Sequence, residues 1–135
     1  MFSLDPQLKS DTHFIADLKI SRLLLMNDSN YPWLILVPRK KDAVELIDLT
    51  FDEQIEVLRE INLSAKMLQR HFSCHKINIA ALGNVTRQLH IHIIARFKND
   101  AAFPKPVWGF TPAKSYSEMA AMDLIKKIKF SLNEK

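Results

Sequence analysis

The strongest periodicity in the chain lies between Thr50 and Phe72, where Ile55, Leu58, Ile61, Ala65, Leu68 and Phe72 return every three or four residues. That repeat belongs to one helical face and predicts a helix of about six turns, opened by Thr50 and Glu53 at capping-box spacing. A second helical repeat follows Ser117, with Met119, Met122, Ile125, Ile128 and Leu132 on one face. Asp5 before Pro6 predicts a short helix through Ser10. Elsewhere the pattern is that of strands. His13 to Lys19 and Arg22 to Met26 are strand-length runs, and Asn27-Asp28-Ser29-Asn30 makes a turn. Trp33-Leu34-Ile35-Leu36-Val37 is bulky and β-prone, closed by Pro38 and the charges of Arg39, Lys40 and Lys41. Ile77, Ile79 and Ala81 alternate with Asn78 and Ala80 up to Gly83-Asn84, and Gln88 to Ile93 alternates polar and apolar with period two, so these two runs read as a hairpin. Ala101 to Ala113 holds three prolines and little periodicity, which predicts a long loop. The order sheet, helix, sheet, helix predicts an α+β fold. Its mainly antiparallel sheet has about five strands with the Gln88 strand inside it, and the two longer helices cover one face.

Composition narrows this picture. A chain of 135 residues, 47% hydrophobic and 25% charged, has the make-up of one globular domain spanning 1–135. No internal repeat or Gly/Ser linker divides it. Gly83 and Gly109 are its two glycines, so glycine-rich phosphate-binding loops are excluded. The formal charge of +4 mildly favours anionic ligands. The basic residues are scattered, and Lys126, Lys127 and Lys129 suit the end of a helix, so nucleic acid is not the expected partner. Asp5, Pro6 and Lys9 interrupt the apolar stretch that a signal peptide would need, and no run approaches the length of a membrane span. With the single Cys74, this leads to the expectation of a cytoplasmic protein with no membrane partner.

The candidate chemistry lies in Gln88-Leu89-His90-Ile91-His92-Ile93-Ile94-Ala95-Arg96. A strand turns successive side chains to opposite faces, so Gln88, His90 and His92 share one face while Leu89, Ile91, Ile93 and Ala95 line the core side. Two imidazoles about 7 Å apart on a rigid strand repel if both are protonated and become useful where they meet an anion. A solvated strand face and a metal-binding pair are the alternatives for any His-x-His. A cupin-type metal centre wants a carboxylate a few residues further on, where Ile93-Ile94-Ala95-Arg96-Phe97-Lys98 places a basic residue.

The segment Gln88-Leu89-His90-Ile91-His92-Ile93-Ile94 resembles the signature of the histidine triad superfamily, His-φ-His-φ-His-φ-φ with φ apolar, at every position but the first. The likeness extends upstream through Leu24-Leu25-Met26-Asn27-Asp28, Tyr31 to Arg39 and Glu45-Leu46-Ile47-Asp48-Leu49 in the family's order, covering roughly residues 15 to 97. It implies a homodimer whose sheets join edge to edge. It also implies transfer or hydrolysis at the α-phosphate of a nucleotide derivative, of the diadenosine polyphosphate or nucleoside phosphoramidate type, through a nucleotidyl-histidine intermediate. His90 then stands at the nucleophile's position and His92 at that of a phosphate donor. No metal need sit on the nucleophile and no cofactor is implied, with room for a magnesium-bound polyphosphate substrate.

Gln88 takes the place of the first histidine and cannot exchange a proton near neutral pH, though its amide can donate a hydrogen bond to phosphate. The related galactose-1-phosphate uridylyltransferases carry glutamine in place of the last histidine, so such a row is compatible with nucleotidyl transfer. The substitution points to an altered leaving-group preference. Asn84 resembles the family's polar phosphate contact at the turn before the histidine strand. Asn27 falls where the family holds the ribose hydroxyls, with Asp28 as the alternative one residue on. Trp108, beside Gly109 in the proline-containing loop, is a candidate aromatic wall or lid. The rival reading from another class is a nucleotide-binding module without catalysis, which the missing first histidine would favour.

Overall fold

The computed structural model describes residues 1–133. Its elements, in chain order, are α1 (Pro6–Asp11), β1 (Thr12–Asp17), β2 (Ser21–Met26), β3 (Trp33–Pro38), a 3-10 turn (Leu46–Asp48), α2 (Phe51–Phe72), β4 (Lys76–Ala80), β5 (Ile91–Arg96) and α3 (Glu118–Asn133). The strands form one antiparallel sheet in the order β1-β2-β3-β5-β4, so β5 is interior and β4 is an edge. This is the α+β arrangement that the hydrophobic pattern predicts. Asp5 caps α1 by accepting from the N–H groups of Gln7 and Leu8, and Thr50 with Glu53 forms the capping box of α2. Among the described residues, no helix is long and apolar enough to cross a membrane.

Both faces of the sheet are buried. On one, Leu23, Leu34, Leu36, Ile91 and Ile93 pack against Val57, Met67 and Leu68 of α2 and Ile128 of α3. On the other, Leu24, Trp33, Ile35 and Ile94 are covered by Leu8 of α1 and by Ala102 and Val107 of the long loop. β3 and β5 are therefore buried along their whole lengths, where alternation alone would leave one face wet.

The apolar repeat of α2 faces the core through Ile61, Ala65, Leu68 and Phe72, but not over its first turns. Leu58 is 56% exposed, whereas Glu60 and Ser64 are buried beside Val57, Met67 and Leu68. The physical reason is that the Glu60 carboxylate accepts from the backbone N–H groups of Ile20 and Ser21, at 2.9 and 3.1 Å, and so caps the β1–β2 turn from inside. A buried acid satisfied by backbone donors is invisible to a hydrophobic count. In α3, Ile125, Ile128 and Leu132 face the core as the pattern predicts, but Met119 and Met122 are exposed.

The loop after β5 is held by Arg96. Its guanidinium, 1% exposed at the side chain, donates to both Asp100 oxygens (2.8 and 3.1 Å), to Asn78 Oδ1 (2.8 Å) and to the Lys105 carbonyl (2.8 Å). It lies between the rings of Tyr31 and Phe103, 5.6 and 5.5 Å from their centroids. Burial pushes the Asp100 carboxyl up, but hydrogen bonds from Arg96 and from the N–H groups of Phe97, Phe103 and Ala102 outweigh it and bring the pKa to about 2. This carboxylate therefore stabilises the fold fully above its unfolded value and loses that contribution as the pH falls from about 4 towards 2. Asp100→Asn should cost about 3 kcal/mol at neutral pH, because it leaves Arg96 buried and unpaired. It should also flatten the acid limb of stability measured by urea unfolding between about pH 5 and pH 2. An unchanged limb would show that Asp100 is not the titrating group.

Candidate active site

β5 begins at Ile91, three residues later than the alternation from Gln88 predicts. Pairing with β4 stops at Ala80 opposite His92, and the Leu89 N–H turns instead to the Ala43 carbonyl at 3.0 Å. His90 thus sits just before the strand and His92 within it, opposite Ile35 of β3. Both side chains point away from α2 and α3, into the face covered by α1 and the long loop. The residues are only 7% and 5% exposed, and their ring centroids lie 4.9 Å apart.

The hydrogen bonds of the two rings fix opposite tautomers. His90 Nδ1 lies 2.7 Å from the Gln88 carbonyl oxygen, which can only accept, so Nδ1 carries the proton and Nε2 is left with a lone pair. Trp33 Nε1 donates to His92 Nδ1 at 3.0 Å; an indole can only donate, so the proton of the neutral His92 ring is on Nε2. Burial, followed by the neighbouring His90, pushes the His92 pKa down to about 4 and keeps the ring neutral at physiological pH. The site therefore offers one imidazole lone pair and, beside it, one imidazole N–H donor.

Trp108 closes the site from above. Its ring stands edge-on to His92 at 5.1 Å and to Trp33 at 5.8 Å, and the residue is 38% exposed. A cavity of about 490 Å³ opens beneath it, walled by both histidines, by Asn84 and Thr86 of the β4–β5 loop and by Gln7 and Asp11 of α1. Its floor includes Met26 and Ile35. A smaller cleft of about 330 Å³ meets His90 from the other side, between Glu45 and Leu46 and the Gly83 turn, with Gln88 on its border. Gly83 has φ +71°, a conformation that favours glycine at this sharp turn. Among the described residues, no group of three or more His, Cys, Asp or Glu side chains is arranged to hold a metal ion.

A HIT domain family model matches residues 7–99. The chain belongs to the histidine triad family. It is 45% identical to a histidine triad protein of Bradyrhizobium japonicum, with a TM-score of 0.94 over 96% of this chain and 97% of that one. A histidine triad protein of Marinobacter aquaeolei is 37% identical, with a TM-score of 0.96 over 99% and 98% of the two chains. A diadenosine triphosphate hydrolase of Plasmodium falciparum, 22% identical with a TM-score of 0.69 over 98% and 80%, shares the fold. No curated protein matches the chain.

Within this histidine triad site, the residues singled out from the sequence separate into two groups. His90, His92, Asn84 and Trp108 converge on the larger cavity. Gln88, Asn27 and Asp28 do not, because their side chains are spent on backbone. Gln88 Oε1 accepts from the Asp5 N–H and its Nε2 donates to the Ser3 carbonyl, both at 2.8 Å, which pins the segment leading into α1. The shared polar face of Gln88, His90 and His92 is therefore corrected: the chain at Gln88 has not yet entered the strand, and its amide is turned to the N-terminal segment. Asn27 Oδ1 accepts from the Tyr116 N–H at 3.0 Å. Asp28 Oδ1 accepts from the N–H groups of Asn30 and Lys114, at 3.0 and 3.2 Å, so these two side chains strap down the segment before α3. The same buried surroundings, with Asp28 adding to them, push the Tyr116 hydroxyl up to about 12.

Sequence reasoning missed Gln7 and Asp11, which line the cavity and are joined by a 2.9 Å bond from Gln7 Nε2 to Asp11 Oδ2. Their four-residue spacing was the available signal, although the predicted helix stopped at Ser10 and the observed one extends to Asp11. It missed the link from Trp33 to His92 as well, since only strand register reveals that diagonal neighbour.

Two outcomes follow from this geometry. By NMR, His92 should titrate near 4 and remain neutral at pH 6, since protonating a buried ring beside His90 is disfavoured; protonation near 6.5 would contradict the described burial. Gln88→Ala removes two hydrogen bonds worth about 1 kcal/mol each. It should raise amide exchange across residues 3–11 while that of α2 and α3 is unaltered, and unchanged exchange there would mean that the amide clip does not hold the segment.

Proposed function

We propose that this histidine triad protein is a cytoplasmic nucleotide hydrolase or nucleotidyltransferase in which His90 attacks the α-phosphate of a nucleotide derivative. The observation that carries the reading is the pair of opposed tautomers: an Nε2 lone pair on His90 beside an Nε2–H donor on His92. In the first step the His90 lone pair forms an N–P bond while the bond from phosphorus to the leaving group breaks. The positive charge that develops on the ring is shared through Nδ1–H with the Gln88 carbonyl. His92 donates to a non-bridging phosphate oxygen, where charge concentrates in the transition state. Water, or another acceptor, then attacks phosphorus and the N–P electrons return to Nε2.

The two spaces that meet at His90 suit the two halves of such a substrate, a nucleoside on the larger side and a leaving group on the smaller. A dinucleoside polyphosphate fits that division, and the fold shared with the Plasmodium hydrolase supports it. Asn84, on the wall beside His90, is assigned to the phosphate, and Trp108 to closing the site over it. The second reading, nucleotide binding without turnover, is favoured by the withdrawal of Gln88 from the site.

We assign a homodimer to the assembly. β4 presents a free edge, and Ile47, Phe51, Leu58, Ile79 and Val85 expose large apolar side chains that a second copy would cover. Light scattering at micromolar concentration should give twice the chain mass, and a monomer mass would count against this assembly.

Rapid quench with a substrate labelled at the α-phosphate should trap an acid-labile, base-stable adduct on the wild type and none on His90→Ala. Mononucleotide binding should persist in that variant, because the imidazole supplies the bond-forming lone pair and little else. His92→Ala should lose about 10² to 10³ in rate, the usual cost of one oxyanion donor. Equal labelling of wild type and His90→Ala, or label mapped to His92, would refute the nucleophile; binding with no turnover on any adenylated compound would favour the second reading.

A further inference from the structure

The site is unusual in what it lacks near the reacting atoms, namely a group able to give up a proton. The side chains that face the two histidines can be named element by element. The approach to β5 contributes the Gln88 backbone carbonyl, its amide being clipped to the N-terminal segment, and β3 contributes Trp33. The β4–β5 loop contributes Asn84 and Thr86, and the long loop contributes Trp108. The ionisable partners are Asp11 of α1, on the larger cavity, and Glu45, on the smaller cleft. Asp11 accepts from Gln7 Nε2 at 2.9 Å and Glu45 serves the capping box of the 3-10 turn, so both carboxyls are engaged as acceptors. The one proton on His90 is engaged by the Gln88 carbonyl. Among the described residues that leaves His92 as the candidate acid, and Trp33 governs its state.

We propose that Trp33 determines leaving-group specificity: by donating its indole N–H to His92 Nδ1, it holds His92 as a hydrogen-bond donor with no proton to surrender, and so confines the site to leaving groups that depart as anions. The inference rests on the nucleotidyl-transfer reading given above. Trp33 is a positioning residue, acting on the substrate through His92.

An indole N–H can donate and never accept. A serine, glutamine or histidine in the place of Trp33 could rotate or change tautomer and accept from His92 Nδ1, which would allow that nitrogen to be protonated. An indole cannot. Protonating Nδ1 requires turning away a ring that is 4% exposed and wedged edge-on between Tyr31 at 6.3 Å and Trp108 at 5.8 Å. A hydrogen bond given to the neutral form disfavours the charged one, in the same direction as burial.

The consequence for the reaction follows by balancing electrons and protons. As His90 Nε2 bonds to phosphorus, the electron pair of the breaking bond goes to the leaving atom. The oxygen of a phosphate, carboxylate or sulfate accepts that pair as a stable anion and needs no proton. A phosphoramidate nitrogen or an alkyl ester oxygen must receive a proton as it leaves, and the site has none to give. The substrate class is thus a mixed anhydride of a nucleoside monophosphate, with the dinucleoside polyphosphates as one member, and phosphoramidates fall outside it.

The test compares kcat/KM for a series of adenylated compounds: acetyl adenylate, an adenosine polyphosphate, substituted phenyl esters of adenosine monophosphate and adenosine 5′-phosphoramidate. In the wild type the rate should fall steeply with rising leaving-group pKa. The phosphoramidate should lie at least about 10²-fold below the anhydrides, the contribution usually made by general-acid catalysis. Trp33→Phe should raise the His92 pKa, read by NMR, and flatten that dependence, narrowing the gap by about tenfold for each unit of that rise. The 15N spectrum of the wild type gives an independent reading that needs no variant: His92 Nδ1 must appear as the unprotonated nitrogen and Nε2 as the protonated one. A wild type that cleaves the phosphoramidate as well as the anhydrides, a protonated Nδ1, or a Trp33→Phe slope equal to that of the wild type would overturn the proposal while leaving the nucleophile intact. No turnover and no histidine adduct with any compound would instead sink the nucleotidyl-transfer reading, and this inference with it.

Discussion

The constraint on which the rest of the structure depends is that both faces of a five-stranded sheet are apolar while its two long helices cover only one of them. The second cover has to be made from α1, the segment before it and the irregular chain after β5. Irregular chain brings unpaired backbone donors and acceptors to a buried surface, and each must find a partner. The molecule meets this need with polar side chains anchored in or beside the sheet: Arg96 and Asp100 for the loop after β5, Asn27 and Asp28 for the segment before α3, and Gln88 for the segment before α1. Each clip converts a flexible stretch into a wall, and the active-site cavity is what the walls leave between them.

This explains why the fold was so much more legible than the site. Strand and helix order follow from periodicity and from the Thr50 capping box, although β5 starts three residues later than alternation places it. At the start of α2 the pattern departs from the structure because Glu60 is buried through a backbone contact made 39 residues away in sequence, which no local pattern encodes. The same blindness affects the site. Gln88, Asn27 and Asp28 look like chemistry because they are polar where a ligand would be expected. A polar residue at such a place has two possible partners, ligand or chain, and only the tertiary path of the chain decides between them. His90 and His92 were legible because an imidazole row on an otherwise apolar strand has no use as a clip.

The two histidines also show how a pair of identical side chains acquires different roles without different sequence neighbours. Both are buried and close, so charging both at once is strongly disfavoured. The symmetry between them is broken by the second ring nitrogen of each. One meets a carbonyl that can only accept, the other an indole that can only donate, and neither partner can reverse its sense. The result is a ring with a free Nε2 lone pair beside a ring with an Nε2–H donor.

That rigidity carries a chemical cost, which the substrate must meet. On the proposed reading, an imidazole locked neutral stabilises the phosphate oxygens but gives up proton transfer to the leaving group, and the two cannot both be maximal on one ring. In a triad with a third histidine, these duties can be divided between rings. Here the first position is a glutamine whose amide holds the N-terminal wall, so on the proposed reading the division of labour passes to the substrate, whose leaving group has to depart alone. The Gln88 clip and the Trp33 lock are then two sides of one arrangement, in which a tighter cavity is obtained by giving a chemical position over to structure.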